Sequence, residues 1–292
     1  MEKENSNKKN EIEELYKSNK SLSNIDLQNN DLSNSYLVDA NMQSCNLSRS
    51  NLSNSSLYGI NLSNSNLFKA NLKNTNLKNA NLTNCNLLGA NLENTKLENV
   101  NWGANNKVIN ELEAESALLN EDITTANKKY KEAEDIYRSI KICLQNQTLG
   151  DDARIFFIRQ MTVNRKQLPK LSVKRIWSKI IDLTTGYGEK LYNIIFTMLS
   201  IILISAILYG IEGVQYQNHI LGFFGDTEYF GGLIYVIGNL LYFSIVVYTT
   251  VGFGEIVPIG MLGKSVMIFE SIIGGLFLAI FIVAMYKKIN ER

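Results

Sequence analysis

Apolar positions recur with several different periods along the 292-residue chain. From Leu22 to Leu97 the fifth residue is apolar without a slip; 15 of those 16 sites are Leu, Met42 is the exception, and Trp102 fills the next slot. Two residues before each centre stands a mostly small or apolar residue, including Ala40, Cys45, Ile60, Ala70, Ala80, Cys85 and Ala90. A period of five fits neither an α-helix nor a straight strand. It predicts a chain that turns a corner after every pentapeptide, with the centre and the residue two before it pointing inward. Residues 1–20 ahead of it are a polar segment that caps the repeat.

Past Gly103 the spacing changes. Leu112, Leu119, Ile123, Ala126, Tyr130, Ala133, Tyr137, Ile140 and Leu144 lie seven and then four and three apart, a heptad stripe. It predicts a helical hairpin over 104–170, whose first helix stops at Gly150 and whose second is capped by Asp151 or Asp152. The stripe packs within that hairpin or forms a seam between subunits. In 171–189, "LSVKRIWSKIIDL" sets Leu171, Ile176, Trp177, Ile180 and Ile181 among Lys170, Lys174, Arg175 and Lys179. Such an amphipathic segment suits the inner surface of a membrane.

Residues 190–292 are the most apolar part. Two runs, 191–211 and about 261–286, are long enough to cross a bilayer. Cations gather before the first and, as Lys287, Lys288 and Arg292, after the second, whereas the connecting segment carries Glu212, Asp226, Glu228 and Glu255 against Lys264 alone. The positive-inside rule then puts both termini in the cytoplasm of a two-span protein of the cell membrane. The start, MEKENSNKKN, lacks the apolar core of a signal peptide. A third apolar run, 231–248, cannot be another crossing without reversing that charge pattern. It reads as a re-entrant helix, about 235–248, from which the chain returns through "YTTVGFGEIVP", residues 248–258. Non-helical backbone at such depth is tolerated where it lines a cavity.

In an ordinary strand successive carbonyls face opposite sides. Turning nearly all of them one way needs backbone dihedrals that alternate in hand, a freedom that Gly252 and Gly254 supply between Val251 and Phe253. The segment "TTVGFGE", 249–255, resembles the selectivity filter of the two-span pore-loop potassium-channel family, written TVGYG followed by Asp. That resemblance implies K+ ligands in the carbonyls of Thr250, Val251, Gly252 and Phe253 and the hydroxyl of Thr250, with Gly254 closing the set. It implies support from Thr249, Glu255, Tyr242 and Phe243, and a homotetramer around a shared axis. The second span becomes the pore-lining helix, with Gly274 at the family's hinge and Gly275 beside it; close helix packing is the other role for a glycine there. Phe253 stands for the usual Tyr, Glu255 for Asp, and Val246 where some members carry a carboxylate. Glu270 is a membrane carboxylate that either bonds the pore helix or faces ions.

The period-five segment resembles the pentapeptide-repeat family, whose fold is a right-handed quadrilateral β-helix with four pentapeptides per coil. Over residues 21–103 this implies about four coils and a rod of roughly 20 Å. Cys45 and Cys85 then stack two coils apart, about 9.6 Å from each other, too far for a disulfide. The fold class is mixed: a β-helix, a helical connector, and an all-α two-span pore domain with a re-entrant pore helix.

Composition narrows the function. The net charge is +1, and residues 20–102 hold six basic against five acidic side chains, so neither nucleic-acid binding nor polyanion mimicry is expected. The three cysteines lack metal spacing, and no nucleophile, base and carboxylate set marks an enzyme. The lone histidine, His219, is an outer-loop residue. The expectation is a potassium-selective channel passing its ion passively, needing no cofactor beyond permeant K+, embedded in a lipid bilayer, with a cytosolic rod that regulates, scaffolds or docks a partner. A weakly selective cation channel and a non-conducting membrane anchor are the alternatives.

Overall fold

The computed structural model describes residues 2–225 and 232–290; Asp226, Glu228, Gly231 and Arg292, used above in the charge and span arguments, lie outside the described residues. The chain divides into two compact units, residues 1–178 and 179–290.

In the first unit helix α1, Glu2–Lys17, precedes the repeat. Parallel bridges join the residue before each centre, from Asp26 to Asn81, to the one twenty positions on, as in Asp26 to Asn46, Asp31 to Asn51, Tyr36 to Ser56 and Asn41 to Asn61, so four pentapeptides make a coil. Every centre from Leu22 to Leu97 is buried, and so are the small residues two before most of them. Most polar members of that inner row bond to the wall: the hydroxyls of Ser55, Ser65, Thr75 and Thr95 and the thiols of Cys45 and Cys85 each donate to the carbonyl 23 residues back, while the buried Ser35 hydroxyl has no partner. Burial pushes the Cys85 thiol up to about 12. All three cysteines are free.

The residue two after each centre turns the corner. Asn24, Asn29, Asn34, Asn54, Asn64 and Asn74 take φ between 57° and 61°, and Gly59 and Gly89 occupy the same place. Asn tolerates this left-handed region better than other non-glycine residues. Outside, the Asn before each centre forms a ladder in which Asn91 donates to Asn71 at 3.3 Å, Asn71 to Asn51 at 3.0 Å and Asn51 to Asp31 at 3.0 Å.

Both ends of the coil stack are covered, which removes the open edges that would otherwise pair with another chain. At the first, Ile12 of α1 is buried, Lys9 donates to the Ser33 carbonyl at 2.6 Å and Tyr16 to the Val38 carbonyl at 3.0 Å. At the last, Gln147 accepts from Leu97 N at 3.1 Å and donates to Thr95 O at 2.6 Å, and Trp102 meets Phe156 edge-on with ring centres 5.1 Å apart.

The connector holds three helices, α2 Ile109–Leu119, α3 Ile123–Asn146 and α4 Gly150–Gln167. The apolar stripe is interrupted by a turn at 120–122, where Asp122 caps α3 by accepting from Thr125 N at 3.0 Å. Leu119 is 86 % and Ile123 64 % exposed, whereas the stripe from Ala126 to Leu144 is buried. α3 ends at Asn146 and Gly150 opens α4, so Asp151 and Asp152 lie in the first turn instead of at the cap, which is Leu149. Buried Glu111 is held by Tyr137 Oη at 2.5 Å and Lys166 Nζ at 3.0 Å. Helix α5, Val173–Thr185, follows, with Ile176, Trp177, Ile180 and Ile181 exposed.

The second unit consists of α6 Leu191–Glu212, strands β1 Val214–Tyr216 and β2 His219–Leu221, α7 Leu233–Tyr248, strand β3 Ile256–Pro258, and α8 Met261–Asn290. α6 and α8 are long and apolar enough to cross a membrane, and α7 is a shorter apolar helix. The strands pair antiparallel in the order β2-β1-β3, with Val214 opposite both Leu221 and Pro258. This small sheet ties the end of α6 to the segment that leaves 249–255, and no hydrophobic period announces three-residue strands. Its core is Tyr209, Val214, Leu221, Val236, Leu240, Phe243 and Ile256, where α6, α7 and the sheet meet.

Candidate functional site

α7 ends in Thr249, whose hydroxyl donates to the Ile245 carbonyl at 2.8 Å. The following backbone alternates in hand: Thr250 has φ 58°, Gly252 58° and Gly254 78°, while Val251 and Phe253 stay outside the positive region. A Cβ added at Gly252 or Gly254 meets nothing within 4 Å, so the requirement for glycine there is conformational rather than steric. Thr250 adopts the same hand without that freedom, at a cost of roughly 1–2 kcal/mol. The amides of Thr250, Val251 and Gly252 point back to the carbonyls of Val247 and Val246, which anchors the alternating stretch to the helix end. Helix carboxyl ends carry partial negative charge, favourable to a cation beyond them.

Tyr242 Oη donates to Glu255 Oε1 at 2.5 Å, joining α7 to the residue that ends the stretch. Phe243 is buried and stacks edge-on against Tyr209 of α6, ring centres 4.7 Å apart, which holds α7 against α6. Glu212, at the end of α6, accepts from the amides of Leu262 and Gly263 at the start of α8. Sequence reading had assigned that carboxylate only to the loop's charge; a glutamate facing the first turn of an apolar helix is the signal for such a cap.

Gly274 lies against α7, where an added Cβ would sit 2.3 Å from the Tyr248 carbonyl; at Gly275 nothing lies within 4 Å. α8 runs through both as one helix. Glu270 is buried and bonded on two sides, to Ser244 of α7 and Tyr209 of α6.

Residues 21–99 match the pentapeptide-repeat family in eight copies, and residues 219–291 match the family described as ion channel. Among solved structures the chain is similar to HetL, a pentapeptide repeat protein involved in heterocyst differentiation regulation from the cyanobacterium Nostoc sp. strain PCC 7120, at 28 % identity over 28 % of this chain and 38 % of that one, with a TM-score of 0.27. A second pentapeptide repeat protein of Nostoc is 30 % identical over 29 % of this chain and 70 % of its own, TM-score 0.28. Rfr23 of the cyanobacterium Cyanothece 51142 is 40 % identical over 30 % of this chain and 58 % of its own, TM-score 0.18. The chain thus spans well under half of HetL. No curated protein matches it. Both families found are non-enzymatic. The chain thus combines a segment that matches the pentapeptide repeats, residues 21–99, with one that matches the ion-channel family, residues 219–291.

Proposed function

We propose that this protein is a homotetrameric, potassium-selective channel that passes K+ passively across the cell membrane. The observation that carries the reading is the alternation of backbone hand at Thr250, Gly252 and Gly254 directly after the carboxyl end of α7. In that conformation the carbonyls of Thr250, Val251, Gly252 and Phe253, with the Thr250 hydroxyl, replace the water around a dehydrated cation, and four chains around an axis complete the shell. α7 is the re-entrant pore helix, Thr249, Glu255, Tyr242 and Phe243 support the filter, and α8 lines the pore and bends at Gly274 and Gly275. α5 lies on the inner membrane surface. Both termini are cytoplasmic. The repeat winds as a right-handed four-sided rod that regulates the pore or docks a cytosolic partner.

Purified protein in liposomes tests this. Potassium flux, a reversal potential that excludes Na+, and loss of flux in Gly252→Ala with assembly retained are expected, because alanine disfavours the positive φ. Equal Na+ and K+ permeability leaves a weakly selective cation channel; no flux in the wild type leaves a membrane anchor for the rod.

A further inference from the structure

Two of the contacts between α8 and α7 lie one helical turn apart on each helix. Glu270 and Gly274 are four residues apart on α8 and Ser244 and Tyr248 four apart on α7, the spacing of one helix face. At one contact Ser244 Oγ lies 2.5 Å from Glu270 Oε1. At the other, Gly274 lets α8 rest on the Tyr248 carbonyl, immediately before the filter. The second carboxyl oxygen accepts from Tyr209 Oη of α6 at 2.8 Å. Glu270 is 2 % and Ser244 0 % exposed. One carboxyl therefore joins both long helices to the helix that ends in the filter.

The partners of that carboxyl suit its neutral form. The Ser244 hydroxyl has one proton and two acceptors in reach, Glu270 Oε1 and the Ile202 carbonyl at 2.9 Å. With a proton on Oε1, Glu270 donates to Ser244, Ser244 donates to the Ile202 carbonyl, which its own helix also serves, and Oε2 accepts from Tyr209. Among the described residues the groups around it are hydroxyls and not cations: Tyr209 and Ser205 face it from α6, Ser244 and Tyr248 from α7, and the nearest ionisable residue along α8 is Lys264. An unpaired charge in the apolar interior of a membrane is costly.

We propose that Glu270 is a positioning residue for the filter: a neutral carboxyl that latches α6 and α8 to α7 and transmits movement of α8 to the residues at the end of α7. This rests on the channel reading above. The test is K+ flux through the full-length chain in liposomes across a pH series, for the wild type, E270Q, E270L and S244A. In E270Q the amide donates to Ser244 and accepts from Tyr209, so flux is kept. E270L and S244A lose flux about tenfold, the effect of a lost buried hydrogen bond. Wild-type flux falls toward alkaline pH as Glu270 gives up its proton, and E270Q does not share the fall. Loss of flux in E270Q to the level of E270L, or an identical alkaline fall in E270Q and the wild type, overturns the latch while leaving the channel reading intact. If E270L fails to assemble, the comparison of E270Q with the wild type decides by itself. Absence of flux in the wild type overturns the channel reading and the latch with it.

Discussion

The phenol of Tyr242 donates to Glu255 at 2.5 Å, so the helix that leads into residues 249–255 also grips the residue that ends that stretch. In the proposed filter, with Val246 behind it, this bond is a polar brace. Tyr242→Phe removes the donor and keeps the ring. Sustained K+ current should decline several-fold faster than in the wild type, with assembly unchanged, in planar-bilayer recordings.

Gly274→Ala pushes a methyl group into the Tyr248 carbonyl. Overpacking of this kind costs roughly 1–3 kcal/mol, so the melting temperature of the solubilised protein and its K+ flux should both fall. Gly275→Ala meets no neighbour within its own chain and should leave the melting temperature nearly unchanged. Equal melting of the two variants would contradict the close approach at Gly274.

Leu67 is fully buried in the middle of the repeat. Leu67→Asp places an unpaired charge there, a change that belongs with the largest single-residue losses, above about 4 kcal/mol. Circular dichroism of the rod should show loss of its fold, whereas Lys73→Ala on the outer wall should melt as the wild type does.

Burial holds Cys85 protonated up to about 12 against an ordinary value of 9.0. The unfolded thiol ionises first, so unfolding gains as pH rises: the contribution is complete below about pH 9 and is lost between there and about pH 12. The urea midpoint of the rod should fall with pH across that window. Cys85→Ser, whose hydroxyl can donate to the Leu62 carbonyl as Ser65 does to Met42, should flatten part of the slope. Maleimide should leave the native thiol unmodified.

Much of the site was legible because its chemistry is local in sequence. Gly252 and Gly254 alternate with Val251 and Phe253, and the backbone alternates in hand at the same places; Thr250 joins them without glycine's freedom, which no residue-type rule announces. The Asn that stands two residues past many of the repeat centres is a local turn signal, and the backbone takes positive φ there. The connector was harder. A stripe from Leu112 to Leu144 shows which residues share a period but not that the chain turns at 120–122, because Asp122 can cap a helix or sit on its surface with the same neighbours.

By itself the sequence determined the period of five, the two long apolar runs and the glycine alternation between them, since each is a repeating relation between neighbours along the chain. Tertiary structure decided what distant residues do for one another. Glu212 reaches the first turn of α8 some 50 residues on, Gln147 and Trp102 close the last coil, and β1 pairs with β3 across the whole of α7. It also decided the place of Glu270, whose two oxygens meet hydroxyls from α6 and α7. A buried polar group must find a partner, and which partner is a matter of where helices cross rather than of spacing along them.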